Sequence, residues 1–421
     1  MQSENNITKP TILIVATRRW FPAARLAMAF AAAGCRVEIA CPSGHPALLT
    51  GSIAARHSLR AFAPMRSLHS AIRKSRPDLL VPADTVAAMY LHRLYQKEPS
   101  LRKGPASYIR ALLQRSLGDP NNFPALASRA RFLAAAQAEG VSILPTQNIP
   151  DEPALRRWLA LNPLPAVLKA DGTSRGEGVS IVCTTKEAVR AWRKLRAPFG
   201  LARFARRSGS EHGSLQKIPW IRRRIRTVSI QPFVHGRDSN IAVACWNGEL
   251  LSAISLDVLR TSHQNGPAVL VELVQNDDML NVARSLVKRL NLSGLCGLDF
   301  ITEYTTGRSY LIEINPHATQ TCHLPHGIPR DLIVSLVSAL AGRPLPLLNQ
   351  ARKYGIIALF PFAWQSGVTK ETLSSAFQDV PWEEPQLVEA GFALEKRPSY
   401  RKYVRRWRRA RTQRPPVEES I

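Results

Sequence analysis

The chain contains no run of 18 or more apolar residues, the length a helix needs to cross a bilayer, so no membrane-spanning helix is expected. It has no Cys-x-x-Cys pair; Cys35, Cys41, Cys183, Cys245, Cys296 and Cys322 stand singly. In a long chain that pattern argues for packed, reduced thiols and a cytoplasmic setting, not a disulfide framework. The first residues, MQSENNITKP, are polar and do not read as a signal peptide. No Gly-x-Gly-x-x-Gly follows the first predicted strand, so a dinucleotide fingerprint is absent there. There is no internal repeat. Acid is scarce: 31 Asp and Glu face 57 Lys and Arg, a formal charge of +26.

What is present is globular. Hydrophobic residues make up 45% of the 421 positions and aromatics 7%, enough for two to four structural units with a buried core. Part of the excess charge is local. From Lys396 to Arg414 the tail carries ten bases and no acid. Arg203, Arg206, Arg207, Lys217, Arg222, Arg223, Arg224 and Arg226 form a second basic stretch. Such clusters suit nucleic acid, an anionic membrane surface or a polyanionic substrate, or they are simply a solvated surface. Tyr400, Tyr403, Val404 and Trp407 would line one side of a basic tail helix, but a frayed, disordered tail is the favoured reading.

Hydrophobic patterning gives the element order. TILIVA at 11–16, a helix over 22–33 closed by Gly34, and RVEIACP form a βαβ opening, hence a parallel sheet. DLLVPAD at 78–84 is a further strand leading into the helical pattern VAAMYLHRLY. Asp84 thereby falls at a strand's C-terminal end, where open α/β sheets place ligands; the same position suits a helix cap. Residues 96–124 read as a polar, proline-containing boundary. Helices are expected near 128–139, 152–161, 186–195, 277–290 and 329–341. Strands are expected at AVLKA, VSIVC, TVSIQPFV, NIAVACW, LLSAISLDVL, CGLDFI and SYLIEI, with a turn at Asn247-Gly248. The stretch 203–225 lacks periodicity and reads as a long loop.

Two constellations carry chemistry. PAVLKADGTSRGEGVSIV places Lys169 on a strand, followed by Gly172, Thr173, Ser174, Gly176 and Gly178. Glycines let backbone N–H groups approach phosphate oxygens, and a strand-borne lysine adds fixed positive charge. A strand follows the loop and the Gly-Lys-Ser/Thr ending is missing, so this is not a Walker A loop; a plain hairpin is the competing reading. The second constellation is Asp299 in GLDFI with Glu313 and Asn315 in LIEIN. The two-residue period of a strand puts 313 and 315 on one face, and Asp299 on the neighbouring strand reaches the same point. Two carboxylates and an amide oxygen suit Mg²⁺, with Mn²⁺ as the alternative ion. An exposed polar face is disfavoured, because those groups lie in an apolar strand where an unpaired carboxylate is costly. His317, Cys322, His323 and His326 invite a zinc reading, but their spacing fits no familiar site.

In order and spacing, Lys169, the glycine loop, Gln231-Pro232-Phe233-Val234, Asp299 and Glu313-x-Asn315 resemble the ATP-grasp superfamily. In pattern they are most similar to the carbamoyl-phosphate synthase large chain and D-alanine–D-alanine ligase. The resemblance runs over about residues 11 to 345 and is strongest at 297–324. It implies a Rossmann-like α/β domain over 1–115 and a two-lobed ATP-grasp domain over 116–345, with the small lobe at about 164–235. An extension at 346–394 and a basic tail at 395–421 would follow. It further implies that Arg129 and Lys169 hold phosphates and that Gly172, Thr173, Ser174, Gly176 and Gly178 form a closing flap. Gln231 to Val234 would meet the adenine and Asp238 the ribose. Asp299, Glu313 and Asn315 would hold magnesium. His317 stands where relatives usually carry arginine, and so is the candidate for the transferred phosphoryl group, provided it is protonated. Asp84, Thr319, Thr321 and His323 are candidates for substrate contact. The activity implied is ATP- and Mg²⁺-dependent joining of a small-molecule carboxylate to an amine or thiol through an acyl phosphate. The alternatives are bicarbonate activation of the carbamoyl-phosphate-synthase kind, and non-catalytic ATP binding on a polyanion-associated protein.

Overall fold

The computed structural model describes residues 9–97, 106–171, 178–197, 227–263, 266–325, 331–344 and 355–393. The basic tail, the segment 203–225, Gly172, Thr173, Ser174, Gly176 and His326 lie outside them.

The chain opens with β1 (Thr11–Val15), α1 (Pro22–Ala32), β2 (Arg36–Cys41), β3 (Ala55–Ser58), α2 (Pro64–Ser75), β4 (Leu79–Pro82) and α3 (Thr85–Lys97). The strands pair in parallel in the order β3-β2-β1-β4. Ile12 and Ile14 enter one core while Leu13 and Val15 enter another. Both faces are therefore covered, which is why β1 reads as an unbroken apolar run. The stretch expected to be a polar boundary instead holds α4 (Ala106–Leu117) and α5 (Phe123–Leu126). Ile109, Leu112, Leu113 and Leu117 are buried at helical spacing. Their signal in the sequence is diluted by Arg110, Gln114 and Arg115 on the outer face.

After α6 (Arg129–Ala138), a small antiparallel sheet follows, made of β5 (Gln147–Asn148), β6 (Ala166–Ala170), β7 (Val179–Val182) and β8 (Val228–Pro232) in the order β5-β8-β6-β7. The helices α7 (Glu152–Leu161) and α8 (Thr185–Arg196) cover it, with Trp158 and Trp192 in the shared core.

The third sheet comprises β9 (Gly236–Trp246), β10 (Glu249–Thr261), β11 (Ala268–Val274), β12 (Gly294–Glu303), β13 (Ser309–Asn315), β14 (Ile356–Leu359) and β15 (Phe377–Asp379). Their order is β13-β12-β9-β10-β11-β14-β15. Only the outermost pair, β14 and β15, runs parallel. Residues 355–393 thus hydrogen-bond into the sheet they follow. The β9–β10 hairpin turns at Asn247 (φ 48°) and Gly248 (φ 79°), the left-handed pair that a tight twisted hairpin requires. Helices α9 (Asp277–Arg289) and α10 (Leu332–Leu340) pack on β9 and β10. No helix among the described residues is long and apolar enough to cross a membrane.

Gly118 joins α4 to this sheet. Its φ is +93°, and a Cβ there would stand 2.1 Å from the Asn291 carbonyl oxygen. Gly118→Ala is expected to destabilise the fold by about 3 kcal/mol, combining left-handed strain with overpacking against backbone. Urea unfolding checks it; an unchanged midpoint would remove this argument.

Candidate functional site

A cavity of about 500 Å³ opens where the three sheets meet. The turn after β1 and the start of α3 give it Arg18, Trp20 and Thr85; β6 gives Lys169; β8 and β9 give Gln231 and Asp238. Asp299 comes from β12, and Glu313 and Asn315 from β13. Antiparallel register places Asp299 opposite Glu313 and Gly297 opposite Asn315, so the three oxygen-bearing side chains gather at one point.

Their electrostatics are linked. Burial pushes the Asp299 carboxyl up to about 7, and the neighbouring Glu313 charge adds to this. Asn315 Nδ2 opposes it by donating to Asp299 Oδ2 at 2.9 Å. Burial would also raise Glu313, but Arg129 outweighs it and holds that carboxyl below its usual value. Arg129, the first residue of α6, donates from Nη2 to Glu313 Oε2, and its Nη1 lies 3.7 Å from Asp171 Oδ1. Arg129 Nε and Nη1 are buried with no hydrogen-bond partner among the described residues. Lys169 is 6% exposed; burial, then the Arg129 charge, bring its ammonium down to about 8. Asp238 is raised by burial, against the pull of Lys169. Two cations and three carboxylates thus face one space; Lys169, Asp238 and Asp299 have pKa values drawn toward neutrality while Arg129 and Glu313 hold each other charged, an arrangement typical of functional sites.

Several expected residues are placed differently. Asp84 lines the cavity, but its carboxylate accepts from Thr17 N at 2.6 Å, Thr17 Oγ1 at 2.7 Å and Ala87 N at 2.9 Å. It is a cap for α3 and a clasp on the β1 turn, so its oxygens are committed to the fold. His323 is turned away from the cavity: its Nε2 lies 2.8 Å from Asp379 Oδ2 in the core, where Arg25 Nη2 meets Asp379 Oδ1 at 2.7 Å. A helix-loop histidine with a distant carboxylate partner cannot be recognised from local spacing. Pro232 and Gly178 do not line the cavity, whereas Gln231, Phe233 and Val234 do; Gly178 instead accepts from Ala170 N at 2.8 Å at the mouth of the β6–β7 hairpin.

Thr319 and Thr321 line the cavity beside His317. His317 Nδ1 donates to the Ala318 carbonyl at 2.9 Å, leaving Nε2 to accept from Thr85 Oγ1 at 3.2 Å. Burial lowers the His317 pKa, opposed by the Ala318 carbonyl and Asp84, which disfavours a positive charge on the ring. Among the described residues no three of His, Cys, Asp or Glu form a metal cluster. Cys322 Sγ accepts from Thr319 N at 3.2 Å. Sequence reasoning missed Arg18, Trp20 and Asp171. Arg18 and Trp20 follow β1 at its C-terminal end, the position that singled out Asp84, and Asp171 follows Lys169 directly.

Residues 209–321 match the family profile of an ATP-grasp domain. Among solved structures, N5-carboxyaminoimidazole synthase from Aspergillus clavatus, in complex with ADP and 5-aminoimidazole ribonucleotide, superposes with a TM-score of 0.61. The two are 11% identical, over 83% of this chain and 81% of that one. The chain has an ATP-grasp fold. Biotin carboxylase from Campylobacter jejuni, in a beta-gamma-ATP complex, shares this ATP-grasp architecture at a TM-score of 0.58 and 14% identity, over 82% and 74% of the two chains. So does the biotin carboxylase domain of Hydrogenobacter thermophilus 2-oxoglutarate carboxylase, with MgADP, ADP and bicarbonate, at 0.57 and 11%, over 82% and 73%. No curated protein matches the ATP-grasp chain in sequence.

Proposed function

We propose that the chain is an ATP- and Mg²⁺-dependent ligase that activates a carboxylate as an acyl phosphate for attack by an amine or thiol. One observation carries the reading: Lys169, Arg129, Asp299, Glu313 and Asn315, drawn from four separate elements, face a single cavity. In this reading the chain divides as a pre-ATP-grasp domain to about residue 115 and an ATP-grasp domain from 116 to 345. The extension at 346–394 is its last part.

The donor set fits the metal. Asp299, Glu313 and Asn315 offer hard oxygens, and the raised Asp299 carboxyl is what a site awaiting a divalent cation should have. The unpartnered Nε and Nη1 of Arg129 fit phosphate oxygens in the same way. When bound, magnesium would neutralise charge on the β- and γ-phosphates. Lys169 and Arg129 hold the phosphates in line with the acceptor carboxylate, and the apolar walls at Val167 and Ile181 keep water out. One carboxylate oxygen attacks the γ-phosphorus as its bond to the bridging oxygen of ADP breaks. The nucleophile then attacks the acyl carbon, phosphate leaves, and the nucleophile's proton passes to solvent. His317 holds Thr85 at the cavity through Nε2, and burial, which lowers its pKa, disfavours a role as a cation.

A phosphate-release screen over pools of amino acids and other carboxylates with amine or thiol acceptors, read by mass spectrometry, tests the proposal. A coupled product supports it; ADP without one favours a non-ligase reading, and ATP affinity without phosphate release favours non-catalytic nucleotide binding. Bicarbonate belongs in the screen because the Hydrogenobacter neighbour holds that anion.

Metal binding should depend on pH. Below about 7 the metal-free Asp299 carries a proton, which an incoming cation must displace. Apparent Mn²⁺ affinity in the presence of ADP is therefore expected to fall by about tenfold per pH unit below that point and to level off above it. Calorimetric titration at pH 6 and pH 8 checks this; equal affinities would refute it.

A further inference from the structure

Between Glu38 and Asp78 the chain has no acidic residue, yet it carries Arg56, Arg60, Arg66, Arg73, Lys74 and Arg76. Arg56, Arg60, Arg66 and Lys74 line a second cavity, of about 390 Å³, between the end of β3 and the outer face of α2. None of its lining residues borders the first cavity. Of the two carboxylates that flank this stretch, Glu38 is already bound to His57 Nε2 at 2.8 Å and Arg36 Nε at 3.1 Å, and Asp78 accepts from Thr11 N at 2.8 Å. Among the described residues none of the four cations is ion-paired with a carboxylate.

The walls are shaped by internal bonds. Ser67 Oγ donates to the Ala63 carbonyl at 2.8 Å and accepts from Arg60 N at 3.2 Å, which fixes the loop from β3 into α2. Arg66, Ser70 and Lys74 recur every fourth residue and so share one side of α2. Ser58 and Ser70 add hydroxyls. Four like charges around one concavity repel one another, and a concave wall focuses their field on whatever anion enters. Guanidinium groups match phosphate geometry, and two or more phosphate charges would offset the repulsion. The volume suits a small molecule, whereas a nucleic acid would need a longer basic track than residues 56–74 supply.

We propose that this cavity is a second anion site, which binds a soluble phosphorylated small molecule carrying at least two negative charges. The proposal is independent of the ligase reading. Its test is hydrogen–deuterium exchange on the full chain with pyrophosphate as probe, followed by titration. Exchange should slow in peptides spanning 56–74, both in the wild type and in Lys169→Ala, whose first cavity is impaired. Arg66→Glu with Lys74→Glu should weaken binding by at least about tenfold; Arg66→Gln with Lys74→Gln, milder changes on an exposed face, should weaken it in the same direction. Absence of protection in 56–74 at millimolar pyrophosphate would overturn the proposal, as would undiminished protection in both double variants. Phe62, on the same loop, is fully exposed, the position a membrane-inserting side chain would take. Binding only to phosphatidylcholine vesicles containing phosphatidic acid, lost in Phe62→Ser, would also overturn the soluble-ligand assignment.

Discussion

Lys169→Ala and Glu313→Ala are each expected to lower ATP-dependent phosphate release by about a hundredfold to a thousandfold, while only Glu313→Ala lowers thermal stability. Phosphoryl transfer depends on positioning and charge neutralisation, and removing one preorganised charge from a dry site costs about two to three orders of magnitude. Lys169 is a buried ammonium that the fold holds at a cost, its pKa brought down to about 8 by burial and then by Arg129. Without a nucleotide its attraction to Glu313, Asp299 and Asp238 is outweighed by burial and by Arg129, so Lys169→Ala should leave the unfolding midpoint unchanged or raise it. Glu313 is the main partner of Arg129. Its removal leaves a buried guanidinium with only the weaker influence of Asp171, at 3.7 Å, and Asp299 among the described residues, and the midpoint should fall. Phosphate release and thermal scans on the two variants, without nucleotide, check both halves. Retained turnover in both variants would sink the ligase reading, and equal stability losses would sink the electrostatic account of the site.

Asp379→Ala is expected to be the most damaging single change far from the phosphates, at about 3–5 kcal/mol. Asp379 is 2% exposed, and it bonds His323 at 2.8 Å and Arg25 at 2.7 Å. Burial pushes its carboxyl up, but His323 and Arg25 outweigh this and hold it below the usual carboxylate range. A carboxyl depressed on folding contributes stability that is complete above its unfolded pKa and is lost as pH falls through the folded value. The wild type should therefore lose stability on the acid side of about pH 4, and Asp379→Ala should flatten that limb. Denaturant titrations between pH 2.5 and 7 read both effects. An acid limb of the same slope in wild type and variant would show that the pair does not carry it.

Much of this was legible in the sequence because its signals are local. Lys169 sits in an apolar strand next to glycines, and Asp299, Glu313 and Asn315 interrupt apolar strands where an unpaired charge is costly. The parallel opening followed from the strand–helix–strand pattern of TILIVA, residues 22–33 and RVEIACP. What stayed hidden depends on distant partners. Asp84 reads as a ligand or a cap by spacing alone, and Thr17, 67 residues away, decides for the cap. His323 looks like a site residue beside Thr321 until β15 brings Asp379 to it. β3 and α2 gave no reading because their apolar positions are few among arginines, and α4 was masked by its charged outer face.

Three of the hydrogen bonds that anchor the described part of the loop after β13 differ in when their partners are made. Ala318 N donates to the Pro82 carbonyl at 2.9 Å, Thr85 meets His317 at 3.2 Å, and His323 meets Asp379 at 2.8 Å. The first two anchors are to segments made early, but the third is 56 residues downstream. During synthesis, which proceeds at about 5–20 residues per second, every phosphate-facing residue emerges before the aspartate that secures the loop. The nascent chain passes through an interval in which the cavity has its charges but the loop that carries Thr319 and Thr321 lacks its anchor to Asp379.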